Sequence, residues 1–397
     1  MITTTITSLG ARGEGVTTID GTRVFVPFTL PGERIEIDAE AERGHMVGLL
    51  EQSADRIAPF CPYFGTCGGC ALQHAGPATY AEFKRGLVET ALSHAGIVVP
   101  VAPLVDAQGT GRRRTTLHIR KHGAGYAKAR THDILDITAC PILVPSLKTA
   151  APKLAHLLYR MAGDGDVAIT AIDTGLDLAV KSERKPRPEA IAAFGQTYKL
   201  ARLAWNGEVR FMARPPVVKM GKALVELPVQ SFLQATQRAE EVLAEHVISA
   251  VGKAKMVADL FCGVGPFALR LAGNAKVFAA ESDKPATAAL AKAVRFTQGL
   301  KPVTALARDL FRDPLAPVEL QPYDAVVFDP PRAGAEAQAR ELARSKVKTV
   351  VAVSCEPKTF ARDAAILIAG GYRLESVTPV DQFVWSAHVE VVGVFRR

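Results

Sequence analysis

The sequence of 397 residues predicts a multidomain α/β protein: a small β-barrel first, a β-rich middle region, and a parallel α/β domain at the end. Three observations lead there. The chain is longer than one ordinary core can organise. Its opening segment is a series of short strand-like runs separated by glycine-rich joints. From about residue 235 the texture changes to regular alternation of apolar strands and amphipathic helices, the signature of βαβ units.

Residues 1–56 form the expected barrel, with strands over 3–9, 22–27, 33–39 and 45–51. The joints Gly10-Ala11-Arg12-Gly13-Glu14-Gly15 and Pro31-Gly32 separate them, and evenly spaced short strands suit a small closed sheet. Residues 57–234 form the expected central domain. It opens with a cysteine cluster, followed by a helix over 80–96 that is available to pack on the C-terminal domain. Further along come strand-like runs at 115–120, 167–173, 178–181 and 209–213 and a helix over 147–161. Residues 235–397 form the expected C-terminal domain, with seven strands at 256–261, 276–281, 303–307, 323–328, 349–353, 373–377 and 389–395. Neither an internal repeat nor a low-complexity segment interrupts this order.

Composition narrows the partners. Hydrophobic residues make up 48% and charged residues 22% of the chain, which is the balance of a globular protein. The N-terminus lacks a basic segment followed by an apolar core, and no apolar run is long enough to span a membrane, so a cytoplasmic protein is expected. The formal charge of +8 points to a polyanionic partner. Its distribution is uneven. Residues 1–60 carry five Arg, no Lys and nine carboxylates, whereas residues 108–132 carry seven Lys/Arg, three His and no carboxylate. Residues 181–222 add ten basic groups against three acidic ones, and a solvated face accounts for that run equally well. Within 108–132 the charges sit in a strand-like segment, and phosphate contact is the favoured reading.

Chemistry concentrates in the C-terminal domain. Asp259-Leu260-Phe261-Cys262-Gly263-Val264-Gly265-Pro266-Phe267 is a strand running into a glycine turn and then a helix. Glycines there let a ligand approach the backbone, and the next strand ends in Glu281, an acid placed to accept ribose hydroxyls. A dinucleotide oxidoreductase would use such a loop, but the third glycine of that fingerprint is absent. The loop instead resembles that of class I S-adenosylmethionine methyltransferases. The fourth strand ends Phe328-Asp329-Pro330-Pro331-Arg332, where such enzymes hold substrate. The fifth runs Thr349-Val350-Val351-Ala352-Val353-Ser354-Cys355-Glu356-Pro357, which puts a cysteine at the C-terminal lip of the sheet. The last contains Glu390 within His388-Val389-Glu390-Val391-Val392, a carboxylate in an apolar strand that is costly unless paired or functional. A cysteine nucleophile with a general base suits methylation at C5 of uracil. That carbon attacks a sulfonium methyl only after a thiolate has added to C6, and its proton must then be removed. An N-methyltransferase would need no thiolate, and a metal-containing RNA-binding module with a decayed catalytic domain would need neither group.

The set Asp-x-Phe-Cys-Gly-x-Gly, Asp-Pro-Pro-Arg, Ser-Cys-x-Pro and His-Val-Glu resembles the RNA uracil-5-methyltransferase family, and the likeness runs through the whole chain. The resemblance implies a Rossmann-like seven-stranded class I methyltransferase domain, with Cys355 as nucleophile and Glu390 as the proton-abstracting base. S-adenosylmethionine contacts would fall on Gln234, Phe261, Gly263, Gly265, Glu281, Asp309 and Asp329. Pro266 departs from the asparagine that many members carry. Residues 1–56 would be a TRAM domain, an OB-like RNA-binding barrel, although their acidic balance lends that no independent support. RNA backbone contacts are expected at Arg112, Arg113, Arg114, Arg120 and Lys121, and the target uridine must be flipped out or held in a loop.

Cys61, Cys67, Cys70 and Cys140 remain. Four thiolates suit structural zinc or an iron–sulfur cluster, and spacing alone does not separate the two. The run Cys61-Pro62-Tyr63-Phe64-Gly65-Thr66-Cys67-Gly68-Gly69-Cys70 resembles the family's [4Fe–4S] segment, with Cys140 as the fourth ligand. Within the family, a TRAM domain with a cluster resembles the branch acting on uridine 1939 of 23S ribosomal RNA, so that RNA is the expected substrate.

Overall fold

A computed structural model describes residues 1–397. The N-terminal sheet contains β1 (Ile2–Thr5), β2 (Ser8–Leu9), β3 (Gly15–Ile19), β4 (Thr22–Val26), β5 (Arg34–Glu40) and β6 (Arg43–Glu51), in the order β1-β5-β6-β4-β3-β2. The run expected as one strand over 3–9 is split at Ile6 and Thr7. Its first half pairs with β5 and its second with β3, so continuous chain joins the two edges of the sheet. Strand β3 falls where a loop was expected. Its alternating Val16-Thr17-Thr18-Ile19 outweighs the glycine before it, and Gly15 is required there because an added Cβ would lie 2.1 Å from Thr29 Oγ1. The core of this unit is small: Ile6, Val24, Val26, Ile35 and Ile37.

Helix α1 (Pro77–His94) follows the cysteine segment, and the two-residue strand β7 (Val105–Asp106) follows α1. The central sheet is built from β8 (Arg114–Arg120), β9 (Gly123–Ala127), β10 (Ile134–Asp136), β11 (Gly165–Ile172), β12 (Gly175–Ser182), β13 (Arg202–Trp205) and β14 (Glu208–Met212). Their order is β10-β9-β8-β11-β12-β13-β14. Helices α2 (Pro145–Lys148), α3 (Ala150–Ala162) and α4 (Pro188–Thr197) lie among these strands, so the one helix expected over 147–161 is two.

The C-terminal sheet is formed by β17 (Met256–Leu260), β18 (Lys276–Glu281), β19 (Val303–Ala307), β20 (Ala325–Phe328), β21 (Thr349–Ser354), β22 (Arg373–Asp381) and β23 (Glu390–Arg396). Their order is β19-β18-β17-β20-β21-β23-β22, with β7 added beyond β22, and β23 runs antiparallel to its neighbours. Alternate residues feed two cores, as expected for strands covered on both faces. Val257, Val327 and Val351 pack with α5 (Gln237–Val251), α6 (Ala268–Leu271) and α7 (Lys284–Phe296). Ala258, Val326 and Val350 pack with α8 (Pro317–Leu320), α9 (Glu336–Ala343) and α10 (Pro357–Ala369). None of these helices is long and apolar enough to cross a membrane.

Two segments assigned to the central region on sequence pack into the C-terminal unit. Val88, Ala91 and Leu92 of α1 join the core beneath α10. The hairpin β15 (Val217–Met220) and β16 (Ala223–Glu226) buries Val218, Met220 and Val225 with α5 and α7. Helical and strand periodicity show which face is apolar, but not which neighbouring unit covers it.

Candidate active site

Six strand ends meet at one lip of the C-terminal sheet. Strand β17 ends in Phe261, which adopts φ +59°, followed by Gly263 (φ +52°) and Gly265 (φ +91°). Left-handed backbone of this kind favours glycine. The two glycines differ in their surroundings. A Cβ on Gly265 would lie 2.4 Å from Leu290 Cδ1 of α7, whereas one on Gly263 would meet nothing, so the Gly263 side of the loop is open. Glu281, the last residue of β18, accepts the Gly263 amide at 3.2 Å and the Asp283 amide at 2.9 Å. Asp309, just beyond β19, accepts the Phe311 amide at 3.0 Å, and the rings of Phe261 and Phe311 lie 5.4 Å apart. The loop, Glu281 and Asp309 thus stand at three adjacent strand ends.

The neighbouring strand ends carry the reactive groups. Asp329 follows β20, where Pro330 and Pro331 end strand pairing by removing donors. Cys355 occupies the turn between β21 and the Pro357 start of α10. Glu390 opens β23 and is only 1% exposed. Hydrogen bonds join these strands through two glutamines. Gln234 Nε2 donates to Asp329 Oδ2 at 2.9 Å. Gln382 Nε2 donates to Gln234 Oε1 at 2.7 Å and to Glu390 Oε2 at 2.6 Å. Gln382 had no signal in the local sequence; only its place at the end of β22, beside β23, could have pointed to it.

No cation reaches either carboxylate. Burial raises Glu390 to about 8, and the charge of Asp329 adds to that. Burial also raises Asp329, to about 7, with the Gln234 bond opposing it. Cys355 is pushed up to about 12, by burial first and then by Glu390 and Asp329, with Arg332 working against them. Cys355 is therefore a thiol at neutral pH in the free protein. Asp259 beneath the loop is fully buried, and neither of its oxygens has a normal hydrogen bond. Burial raises it to about 8, partly offset by the Ala268 amide.

The loop from Gln382 to Val389 is held from outside the sheet. Lys84 of α1, itself fully buried, donates to Asp381 Oδ1 at 3.0 Å, to the Phe383 carbonyl at 3.1 Å and to the His388 carbonyl. Tyr80 donates to Asp381 and accepts the Trp385 amide. The carbonyl of Trp385 accepts the amides of Ala71 and Leu72, directly after Cys70. The cysteine segment is thereby tied to the loop that delivers Glu390.

Cys61, Cys67, Cys70 and Cys140 line one cavity of about 430 Å³, which extends to Gln234 and Gln382. All four are free thiols. Burial raises Cys70 to about 12, and Cys140, Cys67 and Cys61 push it further in the same direction. No three His, Cys, Asp or Glu side chains are gathered tightly enough to hold a metal ion, so the preformed four-cysteine site expected from the sequence is not seen as such.

The expected basic strip does not act as one surface. Arg112 and Arg114 line the cavity, with Arg114 5.7 Å from the Phe232 ring and Arg112 5.9 Å from the Phe383 ring. Arg113 corrects the expectation of a phosphate contact. The bend before β8 turns it inward, where it is 7% exposed and binds Glu240 at 2.6 Å and the Gln234 carbonyl at 3.0 Å. Arg120 is likewise engaged, with the Ile119 and Gly165 carbonyls at 2.8 Å, and Lys121 lies beside it at the far end of β8. At the rise of a strand, that end is about 20 Å from Arg114.

Comparison with known proteins adds to this geometry. Residues 217–397 match the family model described as tRNA (Uracil-5-)-methyltransferase. The chain is 48% identical to an RNA methyltransferase of Brucella suis biovar 1 (strain 1330), over 99% of this chain and 97% of the relative. It is 29% identical to the 23S rRNA (uracil(1939)-C(5))-methyltransferase of Enterobacter sp. (strain 638), over 100% and 96% respectively. Among solved structures it resembles the Pyrococcus abyssi tRNA (uracil-54, C5)-methyltransferase, crystallised with S-adenosyl-L-homocysteine. That match has a TM-score of 0.78 at 23% identity and covers 99% of this chain and 100% of the other.

Proposed function

The chain belongs to the RNA uracil-5-methyltransferase family, and from that premise we propose that it methylates C5 of a uracil in 23S ribosomal RNA, with Cys355 as nucleophile and Glu390 as base. The observation that carries this reading is the meeting of Asp329, Cys355 and Glu390 on adjacent strand ends, with their titrations interacting.

S-adenosylmethionine supplies the methyl group. The open side of Gly263, the Glu281 carboxylate, the Phe261 and Phe311 rings, Asp309, Gly265, Gln234 and Asp329 are the groups that would hold it. The sulfur of Cys355 adds to C6 of the uracil, its proton passes to solvent and the C5–C6 π pair moves to the O4 enolate; the charges of Glu390 and Asp329 oppose early ionisation of the thiol. The addition makes C5 nucleophilic enough to take the methyl group. Glu390 then removes the C5 proton, the C5–C6 double bond reforms and the thiolate leaves. A base raised to about 8 by its surroundings is matched to that task near neutral pH.

The N-terminal sheet, whose edges are joined by continuous chain, fits a TRAM barrel that contacts RNA. Arg112 and Arg114 pair with no carboxylate, and Arg112 Nε has no partner, so both suit a phosphate better than a structural role. For Cys61, Cys67, Cys70 and Cys140 we retain the [4Fe–4S] cluster. The support is that all four thiols line one cavity, and that Cys67, Cys70 and Cys140 are held protonated chiefly by burial, which a cationic centre would reverse. The ribosomal substrate is supported by full-length similarity to the Enterobacter enzyme, and the Pyrococcus structure supports transfer RNA as a second reading.

Mapping 5-methyluridine in ribosomal and transfer RNA from a deletion strain distinguishes these substrates: loss from 23S rRNA is expected, and loss from transfer RNA alone would overturn the ribosomal choice. Cys355→Ala should abolish methylation in single-turnover assays with in vitro transcribed RNA. Retained methylation would rule out the covalent route.

A further inference from the structure

Gln382 is an interior amide, 1% exposed, with every hydrogen-bonding capacity its geometry offers put to use. Its Oε1 accepts the Ala235 backbone N–H at 2.7 Å. A backbone N–H can only donate, so that contact assigns the amide's orientation without ambiguity. The NH2 group must then face Gln234 Oε1 and Glu390 Oε2. Gln234 is assigned in turn, since its oxygen is taken and its own NH2 faces Asp329 Oδ2. One backbone donor therefore sets four side chains. Ala235 is itself pinned, because its carbonyl accepts the Arg113 amide and Thr236 next to it caps α5.

The consequence concerns two particular oxygens. Glu390 Oε2 and Asp329 Oδ2 both receive an N–H, and a carboxyl hydroxyl accepts more weakly than a carboxylate oxygen, so the relay favours the proton on the other oxygen of each. Glu390 Oε1 accepts no hydrogen bond. Resting on the reaction proposed above, we propose that Gln382 is a positioning residue that reserves Glu390 Oε1 as the atom receiving the C5 proton and keeps Glu390 in step with Asp329 through Gln234.

Other charged groups bear on Glu390. Asp329 after β20 raises it, and Glu390 in turn raises Cys355 after β21; Arg332 acts on Cys355, and Arg332 and Lys84 act on His388 two residues before Glu390. The Gln382 bond is the side-chain hydrogen bond that favours the ionised base. Removing it must therefore make the base titrate at higher pH.

The test uses full-length protein, S-adenosylmethionine and in vitro transcribed 23S rRNA, with bulk transfer RNA in parallel. Methyl transfer and release of RNA from the protein are followed separately against pH. For Gln382→Leu, methyl transfer should persist while release at neutral pH slows by roughly tenfold or more. RNA covalently attached to Cys355 should accumulate, the acid limb of the release profile should move to higher pH, and alkaline buffer should restore release. Gln382→Glu keeps the shape and loses the donors, so it should give the same direction of shift even if the leucine variant folds poorly. A Gln382 that merely filled space would slow all pH values equally, and an unmoved limb in both variants overturns the inference. Glu390→Gln separates the two levels of the argument. No covalent RNA in that variant defeats the assignment of Glu390 as base, whereas covalent RNA there with unshifted limbs in the Gln382 variants defeats only the positioning role.

Discussion

Carboxylates are buried in two parts of this molecule, and the two parts treat them in opposite ways. Outside the group Asp259, Asp329 and Glu390, each has a cation, even Asp381 at the end of β22 close by. Glu33 meets Arg56, Asp177 meets Arg202 at 2.7 Å, Glu240 meets Arg113 at 2.6 Å and Arg270 at 2.8 Å, and Asp381 meets Lys84 at 3.0 Å. At the lip Asp259, Asp329 and Glu390 share one region in which the nearest donors are amides. Glu33 and Glu390 show the contrast in titration. Burial alone would raise Glu33, but Arg56 and the amides of Leu30 and Ser53 reverse it and hold Glu33 below its ordinary value. Glu390, without such a cation, is raised to about 8. A buried carboxylate with a cation is a fastening; three without one form a site that holds protons near neutral pH.

Removing the base should produce the largest effect. Glu390→Gln should lower turnover by roughly 10²–10⁴-fold, checked by steady-state methylation alongside the covalent-RNA assay. Its stability should move the other way. A carboxyl raised from 4.5 to about 8 by folding holds its proton more tightly in the folded state. The charge is thus an increasing cost to the wild type as pH rises from about 4.5 toward about 8. The glutamine variant should gain on the wild type through that window in denaturant melts, and equal pH dependence would contradict the assigned burial cost.

Breaking a fastening should act on stability first. Lys84→Met leaves Asp381 buried beside a methyl group, and a loss of about 3–5 kcal/mol is expected. Chemical denaturation measures it, and an unchanged midpoint would deny Lys84 its role in anchoring the loop before Glu390. Asp329→Asn sharpens the contrast within the lip. It removes the charge that helps raise Glu390, so the acid limb of RNA release should move to lower pH, opposite to the Gln382 variants. Arg114→Ala should have the smallest effect, lowering the salt dependence of RNA binding by about one ion, as read from binding titrations across salt concentrations. Arg113→Ala should instead destabilise the fold, because its partner Glu240 is interior.

These residues also mark how far the chain was legible before its structure. The seven strands of the C-terminal sheet lie close to where apolar runs and glycine turns indicated, and the motifs at their ends fall on one lip because parallel strands share a direction. Cys355 and Asp329 stood out because each interrupts the end of an apolar run. Gln382 did not, since an isolated glutamine has no periodicity, and only its three partners from distant segments distinguish it. Arg112, Arg113 and Arg114 read as one basic strip, yet Arg113 sits in a bend just before β8 and is buried against Glu240, so it became a fastening while its neighbours kept the cavity.

Sequence alone therefore determined the family, the strand-end motifs and the order of the parallel units. Local physics suffices for these: periodicity sets strands, glycines set turns, and chemical type restricts what a cysteine or a glutamate can do. Tertiary structure alone decided which carboxylates have cations, which arginines face outward, that α1 and the hairpin β15–β16 complete the C-terminal core, and that the cysteine segment holds the loop before Glu390. Those outcomes depend on contacts between residues as far apart as Lys84 and Asp381, and burial, which sets the pKa values of the site, exists only once such contacts have formed.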